Sequence, residues 1–168
     1  DEVLGTCLAC KACATECPSN VDMARLKAEL RHARHRRNGV PLTDRMIASA
    51  DRLGRLGTLV PGLANRLMEQ RVIRRMLQAL FGFDAEAPLP PFTRRRFDAW
   101  FRRRPAAGGG SRGRVILWDD TWVRYHEPGI GRSAVEVLEA SGYEVALATG
   151  RKCCGRPAAS RGLLDAVR

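Results

Sequence analysis

Cys7-Leu8-Ala9-Cys10-Lys11-Ala12-Cys13-Ala14-Thr15-Glu16-Cys17-Pro18 places four thiols close together, with gaps of two, two and three residues and a proline after the last. Every fixed position agrees with the iron–sulfur ligation run C-x2-C-x2-C-x3-C-P. Two-residue gaps let the backbone curl around one cubane and present Cys7, Cys10 and Cys13 to three irons. The longer gap and Pro18 turn Cys17 outward. In two-cluster proteins with this run the fourth cysteine ligates the other cluster. Cys17 is therefore either a ligand of a second cluster or the fourth ligand of a single one. The expectation is one or two 4Fe-4S clusters, with Cys7, Cys10, Cys13 and Cys17 as metal ligands and cofactor-binding residues. Lys11, within the run and so beside such a cluster, favours its reduced and more negative state. A structural zinc site is the competing account, although zinc modules usually set their ligand pairs a dozen or more residues apart.

The remaining cysteines are the adjacent pair Cys153 and Cys154. Thiols packed in this way do not read as a disulfide framework, which spreads half-cystines across a small secreted domain. A chain of 168 residues with 45% hydrophobic content suffices for one ordinary domain or two small ones. No run approaches the roughly 18 to 20 apolar residues of a membrane-spanning helix, and no signal peptide pattern opens the chain. The expected location is cytoplasmic, with peripheral placement at the inner face of a membrane left open. The start at Asp1 and the helix-like 162–168 read as the ends of a segment of a longer polypeptide.

The net charge of +11 is carried mainly by arginine, since the lysines are Lys11, Lys27 and Lys152. Solvated helix faces account for most of it; Arg31, Arg34, Arg36 and Arg37, for example, crowd a helix end, where cations suit the macrodipole. A nucleic-acid contact from Arg94 to Arg104, with the cysteines as a zinc knuckle, is the weaker reading, and no nucleic-acid partner is expected.

Outward from the cysteine run, Ser19 and Asp22 read as a capping box opening a helix with Met23, Leu26, Leu30 and Ala33 on one stripe, closed by Asn38 and Gly39. A second helix is expected from Thr43 to about Leu56. A third follows Pro61 and uses Leu63, Leu67, Ile73, Met76, Leu77 and Leu80. A short amphipathic piece holds Phe97, Trp100 and Phe101. Ala106-Ala107-Gly108-Gly109-Gly110-Ser111 has linker composition. Beyond it, Arg114 to Trp118 reads as a buried strand, Ser133 to Ala140 as a helix and Tyr143 to Ala148 as a second strand, a parallel β-α-β unit. The fold class is therefore α+β in two parts: an α-helical ferredoxin-like region over 1–104, a linker over 105–113, and the start of an α/β cysteine-rich domain over 114–168.

The segment from Cys7 to Cys13, continued by Cys17-Pro18-Ser19-Asn20-Val21-Asp22-Met23-Ala24-Arg25-Leu26-Lys27, resembles the iron–sulfur part of FAD-linked oxidases acting on D-lactate, glycolate or D-2-hydroxyglutarate. Trp118-Asp119-Asp120-Thr121, Tyr125, Glu127-Pro128-Gly129-Ile130-Gly131 and Leu138-Glu139-Ala140-Ser141-Gly142-Tyr143 resemble the opening of that family's cysteine-rich domain. Cys153-Cys154-Gly155-Arg156-Pro157 matches its CCG motif. The resemblance implies an enzyme whose catalytic residues lie outside this chain, with FAD on further sequence or on a partner flavoprotein subunit. This segment would relay electrons to a quinone or redox-protein acceptor. Heterodisulfide-reductase-like relatives use CCG cysteines, with another upstream near the position of Asp120 and Thr121, to hold a cluster. No cysteine stands there, so Cys153 and Cys154 are the less secure metal ligands, structural thiols being the alternative. The second reading is a stand-alone ferredoxin-like subunit of a heterodisulfide-reductase or anaerobic glycerol-phosphate dehydrogenase type complex. His32 and His35 are expected to be solvated on a basic helix face, and His126 to lie in the loop after the first strand.

Overall fold

The computed structural model describes residues 2–105, 110–151 and 153–167. The chain divides into two compact units, Asp1–Ala50 with Gly155–Arg168, and Asp51–Cys154. Most of the expected linker, residues 106–109, lies outside the described residues.

The first unit holds α1 (Glu2–Gly5), α2 (Ala12–Glu16), α3 (Met23–Asn38) and α4 (Leu42–Ala48), and regains the chain at its end with α11 (Arg156–Ser160) and a 3-10 turn at Leu164–Ala166. Asp22, not Ser19, caps α3: its side chain accepts from the Arg25 N–H at 2.9 Å. Asn38 ends α3 and Gly39 follows at φ 79°. Gly162 allows close approach to α3, because a β-carbon there would meet Arg31 Cβ at 2.5 Å and the His32 nitrogen at 2.8 Å. Across that approach Arg31 donates to the Ser160 carbonyl, and the His32 ring reaches the Gly162 carbonyl at 3.2 Å. His35 meets Asp44 at 3.2 Å with only 10% of its side chain exposed, and Arg161 shares that carboxylate. The two histidines are therefore not solvated as expected; they join α3 to its neighbours by polar contacts.

The second unit begins on α5 (Ala50–Gly57) and continues through α6 (Pro61–Glu69), α7 (Arg71–Phe81), α8 (Phe97–Arg103), β1 (Arg114–Leu117), α9 (Thr121–Tyr125), α10 (Pro128–Ala140) and β2 (Glu144–Leu147). The expected helix from Thr43 to Leu56 is broken at Ser49, whose hydroxyl donates to the Met46 carbonyl and so competes with the backbone ladder. The helix after Pro61 is broken at Gln70, whose backbone is extended. β1 and β2 pair in parallel, Arg114 opposite Glu144 through Leu117 opposite Leu147, with α10 as the crossover. Phe97, Val135 and Val145 form the core, with Trp100, Val115, Leu117 and Leu138 packed against it. Gly131 lets α10 approach α8, since a β-carbon would lie 2.6 Å from the Phe97 ring.

β1 is not the fully buried strand that its apolar run predicts. Its residues alternate, and Ile116 is 73% exposed because the described sheet has two strands and one open face. Before the sheet, Asp98 is buried between Arg96, which grips both carboxylate oxygens at 2.9 and 2.6 Å, and Arg102. Burial pushes the Asp98 carboxyl up, but the Arg96 hydrogen bond and the surrounding arginine charges outweigh it and leave it at about 2.

Candidate metal centre

The four cysteines of the first run sit in the first unit, on the turns that lead into and out of α2. Non-glycine residues between them occupy the left-handed region: Ala9 at φ 53° and Lys11 at φ 65°, with Asn20 at φ 54° just beyond. Such conformations cost about 1 kcal/mol or more each and recur at ligand clamps. Cys13 lies on α2 and Cys17 follows it as the C-cap, its N–H donating to the Cys13 carbonyl at 3.1 Å. The Met23 N–H, at the start of α3, points to Cys13 Sγ at 3.3 Å. Backbone N–H groups of Val21, Ser19 and Asn20 hold the Cys17 thiol below its ordinary value against the opposing effect of burial. Lys27, buried on α3, spends its ammonium on the Cys7 carbonyl rather than on a sulfur.

All the cysteines are free thiols, with Cys10 exposed and Cys7, Cys13 and Cys17 partly so. The donors suit an iron–sulfur cluster in kind: soft thiolates, with backbone N–H groups already aimed at two of the sulfurs. The chain by itself does not gather them, and among the described residues no three metal-binding side chains are grouped closely enough to hold an ion.

The second cysteine group lies in the second unit, after β2. Thr121 stands beside it, its hydroxyl 3.8 Å from Cys153 Sγ and 2.9 Å from Asp51 Oδ1. Arg151, with 2% of its side chain exposed, donates to Asp51 at 2.7 Å and to the Asp119 carbonyl at 2.6 Å. The fully buried Asp119 carboxylate is gripped by Arg124 Nε at 2.5 Å and Nη2 at 2.8 Å. Burial lowers the tendency of Arg124 to hold its proton, and the Asp119 hydrogen bond more than offsets this. Cys154 is exposed. Gly155 follows at φ 78°, a conformation that favours glycine, which is a backbone reason for the third residue of the CCG motif.

Sequence reading missed the set Asp51, Asp119, Arg124 and Arg151. Its one local signal was the acidic pair after β1. His126 is held at the Pro91 carbonyl at 3.0 Å with its ring 5.1 Å from both Phe92 and Trp122, a packing role.

The chain is similar to one of the subunits of the anaerobic glycerol-3-phosphate dehydrogenase of Escherichia coli K12, 28% identical over 123 residues, 73% of this chain and 31% of the relative. It is also similar to D-2-hydroxyglutarate dehydrogenases: that of Pseudomonas putida is 27% identical over 98% of this chain and 17% of the relative, and that of E. coli K12 is 30% identical over 48% and 8%. This chain thus spans less than a third of the length of these relatives. No family model and no solved structure matches it. By name, the relatives are dehydrogenases or part of one, which relates the chain to oxidoreductases.

Proposed function

We propose that this chain is the iron–sulfur electron-transfer segment of an FAD-linked 2-hydroxy-acid oxidoreductase, with ferredoxin-like helices over 1–104, a linker over 105–113 and a CCG-type domain from 114. The observation that carries the reading is the Cys7–Pro18 run, set on left-handed turns and backed by backbone N–H groups directed at Cys13 and Cys17. A 4Fe-4S cluster bound there would supply one-electron transfer without bond chemistry. Cys7, Cys10 and Cys13 would be its ligands, and Cys17 would serve the same cluster or a second one.

This chain's own residues tune such a site. The Met23 N–H on Cys13 and the 19–21 amides on Cys17 stabilise negative charge on sulfur, and Lys11 adds a cation nearby. FAD would belong to sequence beyond this segment or to a partner flavoprotein, and the acceptor would be a quinone or redox protein. Arg151, Asp51 and Thr121 would position Cys153, beside the exposed Cys154, for a site completed by further sequence.

One observation favours a second reading, that of a subunit within a glycerol-phosphate dehydrogenase type complex: the similarity to the glycerol-3-phosphate dehydrogenase component extends over 73% of this chain. Full-length protein purified without oxygen tests the shared core of both readings. Iron and acid-labile sulfide in equal amounts are expected; a colourless protein with stoichiometric zinc contradicts them. Bound flavin on the same polypeptide then favours the first reading over the second.

A further inference from the structure

Helix α3 and the 3-10 turn at Leu164–Ala166 frame a cleft of about 280 Å³ within the first unit. Drug-sized ligands occupy about 300 to 1,000 Å³, so this cleft suits a smaller molecule. No cysteine among the described residues lines it. Its polar wall comes from α3, where His32, His35 and Arg36 lie three and four residues apart along one face. Its apolar wall is Val40, Leu163 and Ala166.

Each histidine has one ring nitrogen engaged and one left for a further partner. His32 Nδ1 stands 3.2 Å from the Gly162 carbonyl; a carbonyl only accepts, so this nitrogen carries a proton. His32 Nε2 is 3.9 Å from Asp165 Oδ2, too far for a hydrogen bond. His35 divides its nitrogens the other way. Nε2 donates to Asp44 Oδ2 at 3.2 Å, while Nδ1 is buried with no hydrogen-bond partner among the described residues, on a side chain only 10% exposed. A buried polar atom left unpaired opposes folding, and a native structure keeps few of them. Arg36 is exposed at the cleft and its side chain makes no ion pair among the described residues.

Charge decides what fits. Asp44 on α4 faces His35, and Asp165 on the 3-10 turn faces His32; both acids favour the imidazolium form. Arg31 and Arg36 on α3, and Arg161 after α11, oppose it and call for an anion. With a proton already on the engaged nitrogen, the second nitrogen can donate to an anion only when the ring is doubly protonated. The planar guanidinium of Arg36 matches a carboxylate. Asp165, an acid on the same rim, disfavours a second negative charge on the ligand and so ranks a monocarboxylate above phosphate.

We propose that this cleft binds a small organic monocarboxylate, its carboxylate held by Arg36 and the two histidines and its carbon chain lying on Val40, Leu163 and Ala166, with protons taken up by the histidines on binding. The site is independent of any metal at the cysteines.

The test is isothermal titration calorimetry of the full-length protein with butyrate, with n-butanol and with inorganic phosphate. Butyrate should bind, and its heat in two buffers of unlike ionisation enthalpy should show net proton uptake. Binding should be about tenfold tighter at about pH 6 than at about pH 8, the range in which histidine changes charge. Arg36→Gln should weaken it about tenfold, and His35→Gln should weaken it and reduce the proton uptake. Arg37→Gln, next along α3 but outside the cleft, should change neither. Because Arg36 is exposed, its variant keeps the test decisive if the His35 variant fails to fold. No binding of butyrate, equal binding of butanol, tighter binding of phosphate, absence of proton uptake, or binding that survives Arg36→Gln overturns the proposal.

Discussion

The turns carrying Cys7 to Cys17 and the loop carrying Cys153 hold their thiols by opposite means. In the first, left-handed non-glycine residues shape the chain, and its protein contacts to sulfur are backbone N–H groups. In the second, a partly buried chain of ions and hydroxyl, Asp119 to Arg151 to Asp51 to Thr121, ends beside one thiol. Conformational cost without packing gain points to a loop shaped for something it must bind, whereas the second region is organised by ion pairs of its own, with Arg151 Nη2 buried and without a hydrogen-bond partner among the described residues. The first region should respond to metal and the second to charge.

The largest effect expected is all-or-none: Cys10→Ala should abolish the iron bound by the local cysteines, read as iron per chain and visible absorbance. Cys17→Ala sharpens this. If it bleaches a different cluster, the two-cluster arrangement holds; if both substitutions bleach the same and sole cluster, one site uses all four thiols.

Next in size is Asp119→Ala, which leaves Arg124 without its carboxylate, while Arg151 keeps Asp51 and the backbone carbonyl of residue 119. Removing one partner of a buried ion pair costs about 3 to 5 kcal/mol, to be measured by urea denaturation. The same substitution should leave the iron content of the first run unchanged, and a loss there would break the contrast between the two regions.

Acid titration gives a smaller effect. The folded Asp98 carboxyl, at about 2, lies below its ordinary value of 3.8, so the folded state binds fewer protons there. Its contribution of about 2 kcal/mol is present above pH 4 and is lost as pH falls toward 2. Asp98→Asn should flatten that part of the stability profile. The smallest effect is Asp22→Ala, which removes the cap at the start of α3 and costs about 1 kcal/mol. It should also loosen the Met23 N–H from Cys13 Sγ, read as a shifted cluster potential.

What could be read in the sequence was what is local. The end of α3 was marked by Asn38 and Gly39, its start was placed at a Ser19–Asp22 capping box in which Asp22 is the actual cap, and the parallel β-α-β unit was marked by the change from helical spacing to short apolar runs. The breaks at Ser49 and Gln70 were not visible, because one hydroxyl or one extended residue decides each of them inside an otherwise continuous pattern. Thr121 could be marked only through the resemblance, which implies a cysteine near that position. Its hydrogen bond to Asp51 spans 70 residues, and that of Arg151 to Asp51 spans 100, distances over which periodicity carries no information. His32 and His35 share a helix face rich in arginine; the return of the chain at Gly162 covers His32, and Asp44 on α4 pairs with His35.

The central claim is that the Cys7–Pro18 run binds a redox cluster. Electron paramagnetic resonance of the anaerobically purified full-length protein, reduced with dithionite, tests it most directly. A reduced-cluster signal that is lost in Cys10→Ala is the predicted result; a silent spectrum from protein carrying zinc and no iron would contradict it.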